Sequence, residues 1–159
     1  KVTALETAFH YDTREDFFRE AFRVLKPGGR LAAADIVPKP GLKRPLKAVI
    51  GDWFGRRFWQ IPSVNMYDRD EYARKLAAAG FVGIRVASIA SFVYPGFVAS
   101  ARARLKDPDV LNRMNPVIRF CFAAALGEMT ATGGPDYILV TADKPLPPPE
   151  IAAGNYPQG

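Results

Sequence analysis

Arg14-Glu15-Asp16-Phe17-Phe18-Arg19-Glu20-Ala21-Phe22-Arg23-Val24-Leu25-Lys26-Pro27-Gly28-Gly29-Arg30-Leu31-Ala32-Ala33-Ala34-Asp35-Ile36-Val37 is the stretch whose reading decides the fold. Phe17, Phe18, Ala21, Phe22, Val24 and Leu25 recur at helical spacing behind Thr13, and Asp16 three residues on completes a capping-box pattern. Pro27-Gly28-Gly29 stops that helix. Residues 30–37 are then nearly all apolar, with Asp35 the single acid, which fits a strand buried on both faces of a parallel sheet. Upstream, Lys1-Val2-Thr3-Ala4-Leu5 reads as the middle of a strand. A right-handed crossover through the helix places these two strands parallel and side by side.

Further along, Pro38, Pro40, Gly41 and Pro45 break the pattern and open an irregular insertion over about 38–66. It mixes Lys43, Arg44, Lys47, Arg56 and Arg57 with Trp53, Phe54, Phe58 and Trp59. Asp68 is a helix N-cap with Glu71 behind it, and Tyr72, Leu76, Ala79 and Phe81 carry a helix that ends at Gly80. A strand follows over 82–90. A second insertion, about 91–132, has helical patterns at 97–105 and 109–129, with Pro116 placed to begin or kink a helix. Gly133-Gly134-Pro135 turns the chain into a strand over 136–143, with Tyr137-Ile138-Leu139-Val140 at its centre. Residues 1–143 thus form the α/β portion and 144–159 a Pro-rich tail.

The composition narrows the classes. The chain has 159 residues, 48% of them hydrophobic and 24% charged, which suits one globular domain and excludes a fibrous repeat or a disordered tail. Its formal charge of +6 is spread along the sequence without a like-charged block, a weak argument for nucleic acid. Cys121 is the only cysteine, so no internal disulfide can form, and no run approaches the ~20 apolar residues of a membrane span. A reducing, cytoplasmic setting is the expectation, with peripheral membrane contact as a variant of it. The absence of an initiator Met and the start inside a strand point to a fragment.

In open parallel sheets ligands bind outside the carboxyl ends of the strands, so the informative residues are 5–12 and 35–37. There lie Glu6, the only histidine, His10, between Phe9 and Tyr11, and Asp35. An imidazole beside a carboxylate can serve as a general base; equally, His10 can simply bond within a loop while Asp35 caps a neighbour. Neither glycine pair follows a strand and opens a helix, so neither is a phosphate loop. No Cys/His cluster suggests zinc, and no Gly-Xaa-Ser-Xaa-Gly elbow is present. Trp53-Phe54-Gly55-Arg56-Arg57-Phe58-Trp59 admits three readings: core of a lid helix, wall of an apolar acceptor pocket, or a segment lying on anionic lipid.

The runs Ala4-Leu5-Glu6-Thr7-Ala8-Phe9-His10-Tyr11 and Arg23-Val24-Leu25-Lys26-Pro27-Gly28-Gly29-Arg30-Leu31, with Ala34-Asp35, resemble the second half of class I S-adenosylmethionine-dependent methyltransferases, in the small-molecule branch. The resemblance implies a partial Rossmann-like sheet of the last four strands, with the two insertions forming a substrate lid. It implies S-adenosylmethionine as cofactor, with Leu5 and Glu6 at its methionine end and the family's glycine-rich loop not in this sequence. It places His10 and Asp35 near the methyl acceptor, His10 as base and Asp35 orienting it. Tyr11, Trp53, Phe54, Trp59 and Tyr67 are the candidate acceptor-lining residues, and they favour a bulky apolar small molecule. On this reading the chain is the acceptor-side half of an enzyme, inactive without an N-terminal half. The competing readings are a non-enzymatic, methyltransferase-like subunit and a membrane-surface fragment. The open edge along Val2 to Leu5 predicts association with that half or with a second copy.

Overall fold

The computed structural model describes residues 1–39 and 60–148. Trp53, Phe54 and Trp59, and with them most of the first insertion, lie outside the described residues. Four strands, β1 (Val2–Leu5), β2 (Arg30–Val37), β3 (Val82–Ser88) and β4 (Asp136–Asp143), form one sheet in the order β1-β2-β4-β3. The helices are α1 (Arg14–Val24), α2 (Arg69–Ala78), α3 (Ala90–Arg104), α4 (Pro108–Arg113) and α5 (Pro116–Thr132).

The opening unit folds as its sequence dictates. Thr13 caps α1, its hydroxyl accepting from the Asp16 amide while the Asp16 carboxylate accepts from the Thr13 amide, so two orphan donors are satisfied reciprocally. Gly28, at φ +73°, makes the turn into β2, and β1 and β2 then pair in parallel from Val2↔Leu31 to Leu5↔Ala34. The expectation of a parallel sheet needs one correction. β4 enters between β2 and β3 and runs antiparallel to both, from Arg30↔Asp143 to Val37↔Asp136 on the β2 side. Single-strand patterning could not reveal this, because a central strand shows its partner's direction in hydrogen-bond geometry and not in apolarity.

Alternation along the central strands divides the molecule into two layers. Leu31, Ala33 and Val37 of β2 and Ile138, Val140 and Ala142 of β4 face α1 and α2, burying Phe18, Ala21, Leu25, Tyr72 and Leu76 in the principal core. Ala34 and Tyr137 point to the opposite face, where Ala90 and Tyr94 of α3 meet them in a smaller cluster. Pro116 begins α5 at its first turn, as its missing N–H allows. Lys39, just past β2, donates to the carbonyls of Thr132 (3.1 Å) and Gly133 (3.2 Å), tying the end of α5 to the carboxyl end of β2. The segment expected as a loose tail begins with an ordered anchor: Lys144 exchanges backbone bonds with Gly28 and Gly29, and its ammonium reaches the carbonyls of Phe22 and Leu25 at 2.8 Å each.

Candidate functional site

The carboxyl ends of β1 and β2 share one rim of the sheet, where the Glu6 amide donates to Ala34 O at 2.9 Å. Glu6 takes a left-handed conformation, φ +50°, which turns the chain off the sheet into a short 3-10 turn over Ala8–His10. The Glu6 carboxylate accepts the Tyr137 hydroxyl from β4. Burial first, then this carboxylate, push the Tyr137 phenol up to about 12. Leu5 beside it is 70% exposed at the sheet edge. These two residues, expected at a cofactor's methionine end, therefore stand at the rim with Leu5 open to a ligand, a placement compatible with that group. Glu6 already has a protein partner.

His10 is exposed, and its ring lies 4.2 Å from the ring of Phe9 between centroids. Among the described residues its imidazole has no hydrogen-bond partner. Tyr11 is 41% exposed, its ring against Phe17 at 5.1 Å and its hydroxyl 3.4 Å from Thr7 Oγ1. Phe9 is buried. The loop thus roots on Phe9 and leaves the imidazole and the Tyr11 ring facing outward.

Asp35 behaves differently from the expectation. Its side chain is fully buried on the α1–α2 side, where Oδ2 accepts from Arg14 Nε at 2.9 Å and Oδ1 accepts from the Ile36 amide at 2.8 Å. Arg14, 1% exposed, donates a further bond to Ile36 O at 2.8 Å and lies between the rings of Tyr67 (5.0 Å) and Tyr72 (5.5 Å). Burial pushes the Asp35 carboxyl up, and the Arg14 charge opposes that push. The expected direct pairing of Asp35 with His10 is accordingly corrected: strand alternation sends Asp35 into the core layer, where the guanidinium takes it. Asp35 reaches the His10 loop through Arg14. Tyr67, expected at an acceptor, stacks on Arg14 with Lys75 Nζ 4.9 Å from its ring on α2, and its buried hydroxyl has no partner among the described residues.

Two residues of the site were not singled out by their sequence context. Arg14 carries a signal that could have found it, since a cation in the first turn of a helix opposes the helix dipole and needs another reason to be there. Asn65 carries none; it sits in an irregular insertion and is fully buried.

The family described as a methyltransferase domain matches residues 1–33. Erythromycin 3''-O-methyltransferase of Saccharopolyspora erythraea is 34% identical over 156 residues, an alignment covering 91% of this chain and 50% of that protein. The 27-O-demethylrifamycin SV methyltransferase of Amycolatopsis mediterranei is 30% identical over 151 residues, covering 91% and 52%. Among solved structures, phosphoethanolamine N-methyltransferase 2 of Haemonchus contortus, in complex with phosphomonomethylethanolamine and S-adenosylhomocysteine, superposes with a TM-score of 0.71 at 15% identity. That superposition covers 91% of this chain and 33% of the other, and it supports the fold alone. Sequence and fold together make the chain similar to S-adenosylmethionine-dependent methyltransferases, and the class I small-molecule type fits both. The chain spans about half the length of the curated relatives just described.

Proposed function

We propose that this chain forms the acceptor side of an S-adenosylmethionine-dependent methyltransferase that modifies a bulky, apolar natural product, with His10 as the base. The observation that carries the reading is an exposed imidazole at the shared rim of β1 and β2, in a chain 34% identical to an erythromycin O-methyltransferase. S-adenosylmethionine, when bound, supplies the methyl group and a sulfur leaving group. Leu5 and Glu6 would meet its methionine end, the exposed Leu5 offering apolar surface beside the rim.

The chain's own work is alignment, exclusion of water and movement of one proton. An acceptor hydroxyl within hydrogen-bond reach of an imidazole nitrogen of His10 gives up its proton there as the new oxygen–carbon bond forms. Tyr11, Trp53, Phe54 and Trp59 remain candidates for the acceptor's apolar body, and Tyr67 contributes through its contact with Arg14. The helices α3 and α5 form the wall of the lid over the second sheet face.

Replacement of His10 tests this directly. In the enzyme with its complete cofactor site, His10→Ala should lower kcat by about a hundredfold or more and remove the neutral-range limb of the pH–rate profile. Near-normal turnover across that range would overturn the assignment. A second reading is favoured by the exposed edge of β1: a methyltransferase-like subunit that uses the sheet edge to bind a partner and does no chemistry. Calorimetric titration of S-adenosylmethionine separates the two, since the second reading requires no binding even when the partner is present. No helix among the described residues is long and apolar enough to cross a membrane; a cytoplasmic location, with or without peripheral membrane contact, belongs to the same proposal.

A further inference from the structure

The carbonyls of Phe9 and Tyr11 flank His10, and both accept hydrogen bonds from one buried side-chain amide. Asn65 Nδ2 donates to Phe9 O at 3.2 Å and to Tyr11 O at 2.7 Å, across 56 and 54 residues of sequence. Its Oδ1 accepts from the Arg14 amide at 3.0 Å. This pattern fixes the orientation of the amide, because two carbonyls need donors and one N–H needs an acceptor. The Asn65 main-chain carbonyl accepts in turn from the Arg14 guanidinium, which Asp35 holds from the other side. A continuous chain of bonds therefore runs from the buried carboxylate of β2 through Arg14 and Asn65 to the carbonyls of Phe9 and Tyr11, the residues before and after His10.

The loop has few other restraints. The amides of His10 and Tyr11 bond only within the 3-10 turn, to Thr7 O at 3.0 Å and Ala8 O at 3.3 Å, and the imidazole itself is exposed without a partner among the described residues. The imidazole's one ring contact among the described residues is Phe9, at 4.2 Å between centroids, so its direction is inherited from that neighbour and from the backbone that Asn65 grips. Asn65 is fully buried with both N–H bonds and its oxygen matched, and leaving any of them unmade away from water would be costly, so the amide is held in this arrangement.

We propose that Asn65 is a positioning residue: it clamps the carbonyls of Phe9 and Tyr11, the residues before and after His10, and so fixes the imidazole at the rim, coupling the end of the first insertion to the reacting side chain. The inference rests on the reading of His10 as base. Asn65 lies at the end of the first insertion, just before α2. Displacement of a reacting group by about 1 Å is enough to cost about a hundredfold in rate, which sets the scale of the expected effect.

The test uses Asn65→Asp, which keeps the size and the acceptor for the Arg14 amide but places an oxygen against two carbonyls, and Asn65→Ser, which removes the two-armed donor without adding charge. His10 is the only histidine, so its imidazole gives a single identifiable set of NMR signals in the full chain. The expected result is amide hydrogen exchange at His10 and Tyr11 faster by about tenfold or more, with exchange at Leu31, Ile138 and Val140 unchanged. The imidazole signals should lose the shift imposed by the Phe9 ring. In turnover, kcat should fall with KM for S-adenosylmethionine unchanged. Unaltered exchange and imidazole signals in both folded variants would overturn the proposal. So would loss of protection in the core strands together with the loop, because Asn65 would then be holding the core. A loosened loop alongside a fully active His10→Ala enzyme would leave the clamp standing and discard the base.

Discussion

Arg14 is the residue on which the interior of the site depends. Its guanidinium joins α1, β2 and the turn at Asn65, and its neighbours Asp35 and Asn65 are both fully buried. Removing one partner of a buried ion pair leaves an uncompensated charge, which costs more than the pair itself contributes. Arg14→Met should therefore destabilise the chain by about 3–5 kcal/mol in urea unfolding. The double variant Arg14→Met with Asp35→Leu should recover much of that loss, since no buried charge then remains. Equal destabilisation of single and double variants would show that the stacking of Arg14 on Tyr67 and Tyr72, and not the charge, supplies the stability.

Helix α1 stands on its capping box. Asp16 is held below the usual carboxylate range, first by the bond from the Thr13 amide and then by the Thr13 hydroxyl and Arg19. A carboxyl whose folded value is depressed stabilises the fold above its unfolded value and loses that contribution as pH falls through the folded value. Thr13→Ala should cost about 1 kcal/mol near neutrality. The difference between it and the parent should shrink in acid as Asp16 becomes protonated in both. Urea midpoints measured near pH ~7 and pH ~3 check this; an equal gap at both would mean that the cap acts through Thr13 alone. The Asp143 carboxyl is also lowered, by its bond to Arg30, so the β2–β4 end should weaken over the same acid range.

At the scale of the whole molecule, several large apolar side chains are exposed among the described residues. Leu5 is 70% exposed on β1, which pairs on one side only among the described residues. On α5 only Leu126 is buried, while Phe120 is 75% exposed and Val117 and Ile118 are open. An unpaired strand edge flanked by apolar side chains invites pairing with another chain. The chain should therefore self-associate at micromolar concentration in sedimentation velocity, and Leu5→Lys should shift it toward monomer. A parent that sediments strictly as monomer would refute this.

What was legible in the sequence was whatever neighbouring residues decide among themselves. Thr13 and Asp16 specify the start of α1, Pro27-Gly28-Gly29 its end, Pro116 the start of α5, and the apolar run at Tyr137 to Val140 a strand; each depends on contacts within a few residues. That the carboxyl ends of β1 and β2 coincide also followed, because a parallel crossover fixes which strand ends lie together. Only the tertiary structure decided that β4 runs antiparallel between β2 and β3, that Asp35 faces Arg14 and not His10, and that Asn65 grips the loop from more than fifty residues away. The reason is physical. A carboxylate or an amide has no intrinsic partner, and its choice is set by which groups the packed layers bring within about 3 Å while excluding water.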